Sequence, residues 1–314
     1  MRLYDMRAHL RPGPGLAIGM VVMSSLLYSL GYAITKQLIE TWHFDPMQLF
    51  LLRSLLVLAG LAALPLVGRK PPTLARILRP PQAWTQRGAA TALVVSALLA
   101  MIGYANLPVT TATAFSFTAP LLLTAMAAIF LGERVPAIRW CAVALGFLGV
   151  LVIVHPWASG RHEDGHLIGV LAAFGSAVLY AVQQMLLRRA RDTSTTSDVV
   201  AQAAMIGILL FAAFMPFVWK AVPLAAITLI VLATVTQTGG LLTIAVAIRM
   251  GEVSKLAPWQ YGGMVWAMLL DLFMFGHVPG MVALIGAVMI VAGGLLSQVK
   301  LRRPFAMRKV ELPR

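Results

Sequence analysis

Three ionisable side chains lie in stretches otherwise apolar enough for lipid: Lys36, Arg53 and Asp271. A charge inside a bilayer is costly, so such groups face protein or water and become candidates for function. Two cations and one carboxylate can do two kinds of chemistry. They can pair with each other as a gate, or the cations can bind the carboxylate of a solute. Counting residues from the ends of their apolar stretches puts Lys36 ~5 Å, Arg53 ~9 Å and Asp271 ~6 Å from the outer boundary. At similar heights they could form one charge cluster closing an outer vestibule. The structural alternatives stay open. The long stem of Lys36 permits snorkelling to the headgroups, Arg53 can pair with Asp271 or a carbonyl, and Asp271 can serve the gate or simply sit at the interface.

Neutral polar groups are placed as if to line a path between those charges. Tyr28, Tyr32 and Lys36 are spaced four residues apart and share one helix face, flanked by Ser25 and Ser29. An aromatic belt at the membrane surface explains Tyr32 but not the deeper Tyr28. The stretch APWQYGGMVWAMLLDLFMFG, residues 257–276, contains Pro258, Gln260, Tyr261, Gly262 and Gly263 together. Proline lacks the amide hydrogen that a continuous helix needs. Freed carbonyls at membrane depth are tolerated only against protein or a wet cavity. The segment therefore reads as a pocket wall, with Trp259 and Trp266 as apolar surfaces; a kinked packing helix is the alternative. Gln183, one turn from Tyr180, and Gln237, within the cluster Thr234, Thr236, Gln237 and Thr238, join the candidate substrate-binding set. Ser and Thr hydroxyls such as Ser116 and Thr118 can bond back to their own helix, so the two glutamines rank above them. His162, Glu163, Asp164 and His166 fall in a short Gly-flanked loop and read as solvated rather than metal-binding. No catalytic residue, metal or cofactor is expected. No histidine falls inside an apolar stretch, and Asp271 is the one well-buried acid, so the nucleophile and base of a membrane enzyme are missing.

The elements that must position these groups are transmembrane helices. The chain of 314 residues is 60% hydrophobic and 11% charged, with mean hydropathy +0.85; soluble domains carry about a quarter charged residues. The spacing predicts ten spans: 15–39, 47–67, 88–106, 109–131, 136–154, 167–189, 197–219, 223–249, 252–275 and 280–299. The first is read as a retained helix, its apolar run being too long for a signal-peptide core. Lys and Arg crowd one set of loops and both ends of the chain, whereas the opposite side carries only Arg161 and Lys220. By the positive-inside rule both termini are cytoplasmic, and the net charge of +14 reflects membrane orientation rather than nucleic-acid binding. The single cysteine, Cys141, lies in a span and excludes an internal disulfide.

LGERVPAIRWCAVALGFLGVLVIV (131–154) and FGHVPGMVALIGAVMIVAGGLL (275–296) follow one pattern, with Gly132 matching Gly276 and Pro136 matching Pro279. These junctions are five spans apart. An odd repeat length puts the second half into the membrane upside down, an arrangement typical of secondary transporters. The expected organisation is a cytoplasmic segment 1–14, a first five-helix repeat 15–154, an external loop 155–166, a second repeat 167–299 and a basic tail 300–314.

Together with Lys36, Pro46, Arg53, TATAFSFTAPLLLTAMAAIFLGE in span 4 and APWQYGGMVWAMLLDLFMFGHVP in span 9, the repeat resembles the drug/metabolite transporter superfamily, in its ten-helix EamA-type branch. The glutamate that follows the junction glycine in that branch is present as Glu133 and replaced by His277 in the second half. The resemblance implies an all-α inner-membrane carrier of small organic solutes, with residues 257–279 close to its central cavity and export as the commoner direction. The neutral, polar and aromatic candidates favour amino acids or related zwitterionic and aromatic metabolites moved by alternating access. The alternatives are uptake of a heteroaromatic vitamin or nucleotide-like metabolite, and a non-transporting membrane scaffold. Proton coupling, oligomeric state and substrate identity stay open.

Overall fold

The structure, a computed structural model, describes residues 14–67, 73–131, 135–154, 165–189, 196–250, 256 and 259–297. All regular structure among them is helical: α1 Pro14–Glu40, α2 Pro46–Ala62, α3 Leu74–Leu78, α4 Ala83–Asn106, α5 Val109–Ser116, α6 Ala119–Leu131, α7 Ala137–Val154, α8 His166–Arg189, α9 Thr196–Phe211, α10 Met215–Val218, α11 Leu224–Met250, α12 Gly262–Phe275 and α13 Met281–Ser297, with 3-10 turns at Leu64–Val67 and Ala212–Phe214. Among the described residues, seven helical segments are long and apolar enough to cross a membrane. Three shorter apolar helices, Ala137–Ile153, Gly262–Phe275 and Met281–Ser297, coincide with expected spans 5, 9 and 10.

The departures from the expected spans have local causes. Span 4 is not one helix but α5 and α6, parted at Phe117 and Thr118. Pro120 cannot donate to the Ser116 carbonyl, and the preceding turn tightens, with the Phe117 N–H on the Thr113 and Ala114 carbonyls and the Thr118 N–H on that of Phe115. Spans 2 and 7 end early as α-helices, each running into a 3-10 turn beside a proline, Pro65 and Pro216. Span 3 begins five residues sooner than expected, at Ala83, and is preceded by the unforeseen α3. Of the polar stretch opening span 9, residues 259–260 are helical and Tyr261 is a turn before α12; Pro258 lies outside the described residues. Glu133, Arg161 and residues 162–164 lie outside them too.

Caps fix the ends. Asp45 accepts the Met47 N–H at 2.7 Å ahead of Pro46, which suits the first turn of α2. Gly276 closes α12 in the left-handed region, φ 67°, with the His277 N–H returning to the Asp271 carbonyl at 3.0 Å. The α1–α2 loop lies beside the segment before α11. There the Lys220 Nζ donates to the Trp42 carbonyl at 2.8 Å, and the buried Gln48 amide bonds both the carbonyl and the N–H of Lys220.

Pairings between helices follow a rule. α1 packs on α11 as α8 packs on α4; α1 meets α12 as α8 meets α6; α2 meets α11 as α9 meets α4. α2–α9, α5–α12 and α7–α13 pair with their own counterparts. Each of these contacts reappears five spans further on, the pattern that an inverted repeat produces. A constant residue offset accompanies it. The offset that carries Phe117 onto Tyr261 also carries Ser96 onto Gly240, Ala142 onto Gly286, Gly146 onto Ile290 and Gly149 onto Gly293. The Ser24 hydroxyl donates to the Gly240 carbonyl at 2.8 Å between α1 and α11, and the Ser96 hydroxyl donates to the Ser176 carbonyl at 2.9 Å between α4 and α8. With this offset Gly132 falls on Gly276, as expected, but Pro136 falls on Gly280. The expected match to Pro279 is one residue out of register.

Candidate functional site

The three membrane charges do not form a single cluster. Lys36 and Asp271 meet at the α4–α5 turn, from opposite directions. The Lys36 Nζ donates to the Leu107 carbonyl at 2.7 Å, pairs with Glu40 at 3.1 Å and lies 5.3 Å from the Phe275 ring centroid. Its side chain is 3% exposed, so it does not snorkel. Asp271 is fully buried. Its two carboxylate oxygens accept the N–H groups of Val109 and Thr110 at 2.7 and 2.5 Å, capping α5. A carboxylate at a helix N-terminus satisfies donors that have no partner within the helix. The turn that joins α4 to α5 is therefore held by a cation on its carbonyl and an anion on its amides.

Arg53 takes no part in this. From α2 it reaches α1 and α11, where Nη1 lies 3.4 Å from the Thr35 hydroxyl and Nη2 donates to the Gln237 side-chain oxygen. Arginine is a donor only, so Gln237 must present its oxygen to it and turn its amide nitrogen away. Both the Arg53 Nε and the Gln237 Nε2 are buried without a hydrogen-bond partner among the described residues. Gly31 makes the approach feasible: a Cβ there would run into the Gln237 side chain and lie 2.9 Å from the Thr236 hydroxyl.

Tyrosines gather next to Arg53. Tyr32 stacks on Tyr104 with centroids 4.4 Å apart and planes 15° from parallel, and the Tyr104 hydroxyl bonds that of Thr113 at 3.1 Å. Tyr32 lies within electrostatic reach of Arg53, and Tyr28 within reach of Tyr32 and Tyr180. Tyr180 accepts from Gln184 at 3.2 Å. Four of the six tyrosines of the chain, contributed by α1, α4 and α8, are thus linked pairwise through Tyr32. Gln183 is buried on α8, its Oε1 without a partner among the described residues.

The break in the second half has a different surrounding. Tyr261 is buried against the Phe117 ring, centroid to centroid 5.0 Å, and its ring end fills the place a Cβ on Gly294 would need. Gly263 presses on α1, its carbonyl accepting from the Ser29 hydroxyl at 3.3 Å. Trp259 and Gln260 are exposed and Trp266 is partly buried. The structure thus brings Tyr32, Arg53 and Gln237 into one region and holds Lys36 with Asp271 at the α4–α5 turn. Tyr261 sits at the junction of the broken helices. Sequence reasoning missed Tyr104 and Thr35, which lie on the inner faces of α4 and α1 and appear as ordinary polar members of apolar runs.

Residues 15–155 match the model of the EamA-like transporter family. Among curated proteins, the chain is 28% identical to an S-adenosylmethionine uptake transporter of Rickettsia bellii over 62% of its own length and 65% of that protein's. It is 28% identical to a riboflavin transporter of Rhizobium johnstonii, over 62% of this chain and 63% of that one. A pseudopaline exporter of Pseudomonas aeruginosa is 26% identical over 62% of this chain and 68% of that one. The matched stretch thus spans just under two thirds of the first two of these relatives. A solved crystal structure shares the fold over 90% of this chain and 96% of its own, with TM-score 0.60 and 22% identity. The family and these relatives are transporters, not enzymes. Residues 15–155, just under half of the chain, thus match the EamA-like transporter family, within a multi-pass helical architecture.

Proposed function

We propose that the protein is a secondary transporter of the bacterial inner membrane, moving small zwitterionic or aromatic metabolites such as amino acids by alternating access, in the direction of export. The observation that carries this reading is the polar and aromatic set shared by α1, α2, α4 and α11, where Arg53 bonds Gln237 and lies near Tyr32, which stacks on Tyr104. A lipid-facing or purely structural bundle has no use for stacked tyrosine rings and an arginine at that depth. The helix breaks at Phe117 and Tyr261 supply paired points at which the two halves can bend against each other. Lys36 and Asp271, holding the α4–α5 turn, belong to the outer closure in this reading.

Uptake of a heteroaromatic solute is the second reading, favoured by the names of two relatives, the S-adenosylmethionine uptake and riboflavin transporters. Flux into proteoliposomes separates the two. Labelled amino acids, flavins and nucleosides are offered with and without a pH gradient, from either side. Saturable flux of amino acids that Tyr28→Ala or Tyr32→Ala abolishes supports the first reading. Saturable flux of flavin or nucleoside alone supports the second. Absence of saturable flux from folded protein for every class leaves a scaffold role.

A further inference from the structure

We infer that Arg53 and Gln237 form the carboxylate-binding end of the substrate site, and that the solute is a mono-anionic or zwitterionic aromatic acid whose ring lies against Tyr28 and Tyr32. The inference rests on the transport reading above and narrows it to a substrate class.

The first support is a charge count. Lys36 has Glu40, and Asp271 has two backbone amides. Arg53 touches only neutral groups, the Thr35 hydroxyl and the Gln237 oxygen, and forms no ion pair among the described residues. An arginine inside a membrane protein is always charged, and a buried charge without a counterion is strongly unfavourable. A site of this kind is completed by an anion that arrives from outside.

The second support is the type of hydrogen-bonding group left over. The buried atoms without partners here are the Arg53 Nε and the Gln237 Nε2, both donors, from two helices that already touch. Two unused donors, one the guanidinium's own Nε and one the neighbouring amide, call for an acceptor with two oxygens and a full negative charge. A planar carboxylate meets a guanidinium in bidentate fashion, which neither an amide nor an alcohol can do. A phosphate monoester would bring about two charges to a region that offers one cation. The neutral tyrosines provide stacking surface and hydroxyls rather than further positive charge. Arg53, Tyr28, Tyr32 and Gln237 are each only partly buried.

The test uses the full-length protein in detergent and in proteoliposomes. Thermal stabilisation is measured with L-tryptophan, indole-3-acetate, L-tryptophanamide, tryptamine and phenyl phosphate. The two carboxylates are expected to bind about tenfold or more tightly than the amide and the amine. In Arg53→Gln that preference disappears, acid and amide binding alike. Arg53→Lys keeps the charge and guards against a folding artefact; it loses most of the preference while its melting temperature without ligand stays near that of the parent. Gln237→Leu weakens the acids several-fold and leaves the amide unchanged. An acid-to-amide ratio that is the same in the parent and Arg53→Gln overturns the inference, as does tighter binding of phenyl phosphate, or no binding of either acid. Flux assays with the same variants keep the two readings apart. Saturable transport of an uncharged solute that Arg53→Gln leaves intact sinks the carboxylate site and leaves the transporter standing. No saturable transport of any solute sinks the transporter itself.

Discussion

Phe117 and Tyr261 lie ring to ring, with centroids 5.0 Å apart and planes tilted by 47°, and each marks the break in its own helix. Under the offset that relates the two halves they are the same position, so the rings meet where the halves meet. Both residues keep helical backbone angles, φ −72° and −65°, while the hydrogen-bond ladder around them is interrupted. The pair is expected to couple. Aromatic contacts of this kind are worth about 0.5–1.5 kcal/mol beyond area burial. A thermal-unfolding cycle of Phe117→Leu, Tyr261→Leu and the double variant in detergent should return a coupling energy of about 1 kcal/mol. Strict additivity would show that the rings are neighbours without energetic contact.

Asp271 is expected to act as a cap. Asparagine keeps its shape but can accept only through one oxygen, and its NH2 would face the other backbone N–H. Asp271→Asn should therefore cost about 1–3 kcal/mol, the range for leaving a buried donor unmet. It should also speed hydrogen exchange at Val109 and Thr110 while exchange in the distant α7 is unchanged. An equal rise in exchange across all helices would point to general unfolding and not to a cap. If transport responds to a pH gradient, that response should survive in whatever flux Asp271→Asn retains; its selective loss would make Asp271 a proton carrier.

Much of this was legible in the sequence, and the limits are physical. The all-helical membrane class came from long apolar runs, because bilayer thickness acts on segments rather than on single residues. The identity of ion partners did not come through. Lys36, Arg53 and Asp271 were expected at similar heights and hence as a cluster, yet height along a helix says nothing about rotation around it. Lys36 found a carbonyl, Asp271 found amides and Arg53 found Gln237, since backbone groups at the ends of α4 and α5 compete for charges as well as side chains do. The break in span 4 was visible as Pro120, but the sequence emphasis fell on Pro258. Tyr104 was passed over because one tyrosine in a run of small apolar residues carries no periodic signal; only packing shows that it stacks on Tyr32.

The outer turn gives a prediction of unequal effects. Lys36 is buried and bonds Leu107, whereas Glu40 is 39% exposed in the same ion pair. Exposed ion pairs contribute little, about 0–1 kcal/mol; removing a charged donor from a buried carbonyl costs more. Lys36→Met should therefore loosen the turn and Glu40→Gln should barely alter it. In a Cys141→Ala background, Thr113→Cys reports the opening. Labelling by a membrane-impermeant thiol reagent from outside should rise several-fold with Lys36→Met and remain near the parent rate with Glu40→Gln. The reverse order would mean that the exposed pair, not the carbonyl contact, holds the closure.

The α7–α13 seam tests the internal symmetry directly. A Cβ on Gly149 would lie 2.7 Å from the Gly286 carbonyl oxygen and 2.8 Å from Ile290. A Cβ on Gly293, the equivalent position, would lie 2.7 Å from the Ala142 carbonyl oxygen and 3.1 Å from the Gly146 nitrogen. In each case the obstacle includes backbone, which cannot rotate away, and small residues are what allow membrane helices to approach so closely. Gly149→Ala and Gly293→Ala should each cost about 1–3 kcal/mol by overpacking. The two costs should agree within about 0.5 kcal/mol, because equivalent positions meet equivalent obstacles. Gly60, on α2, has nothing within 4 Å of its would-be Cβ, so Gly60→Ala should stabilise by about 0.5–1 kcal/mol through helix propensity alone. Unfolding of the three variants in mixed micelles measures all three numbers. A large cost at Gly149 with none at Gly293 would mean that the two halves share a topology but not a packing register.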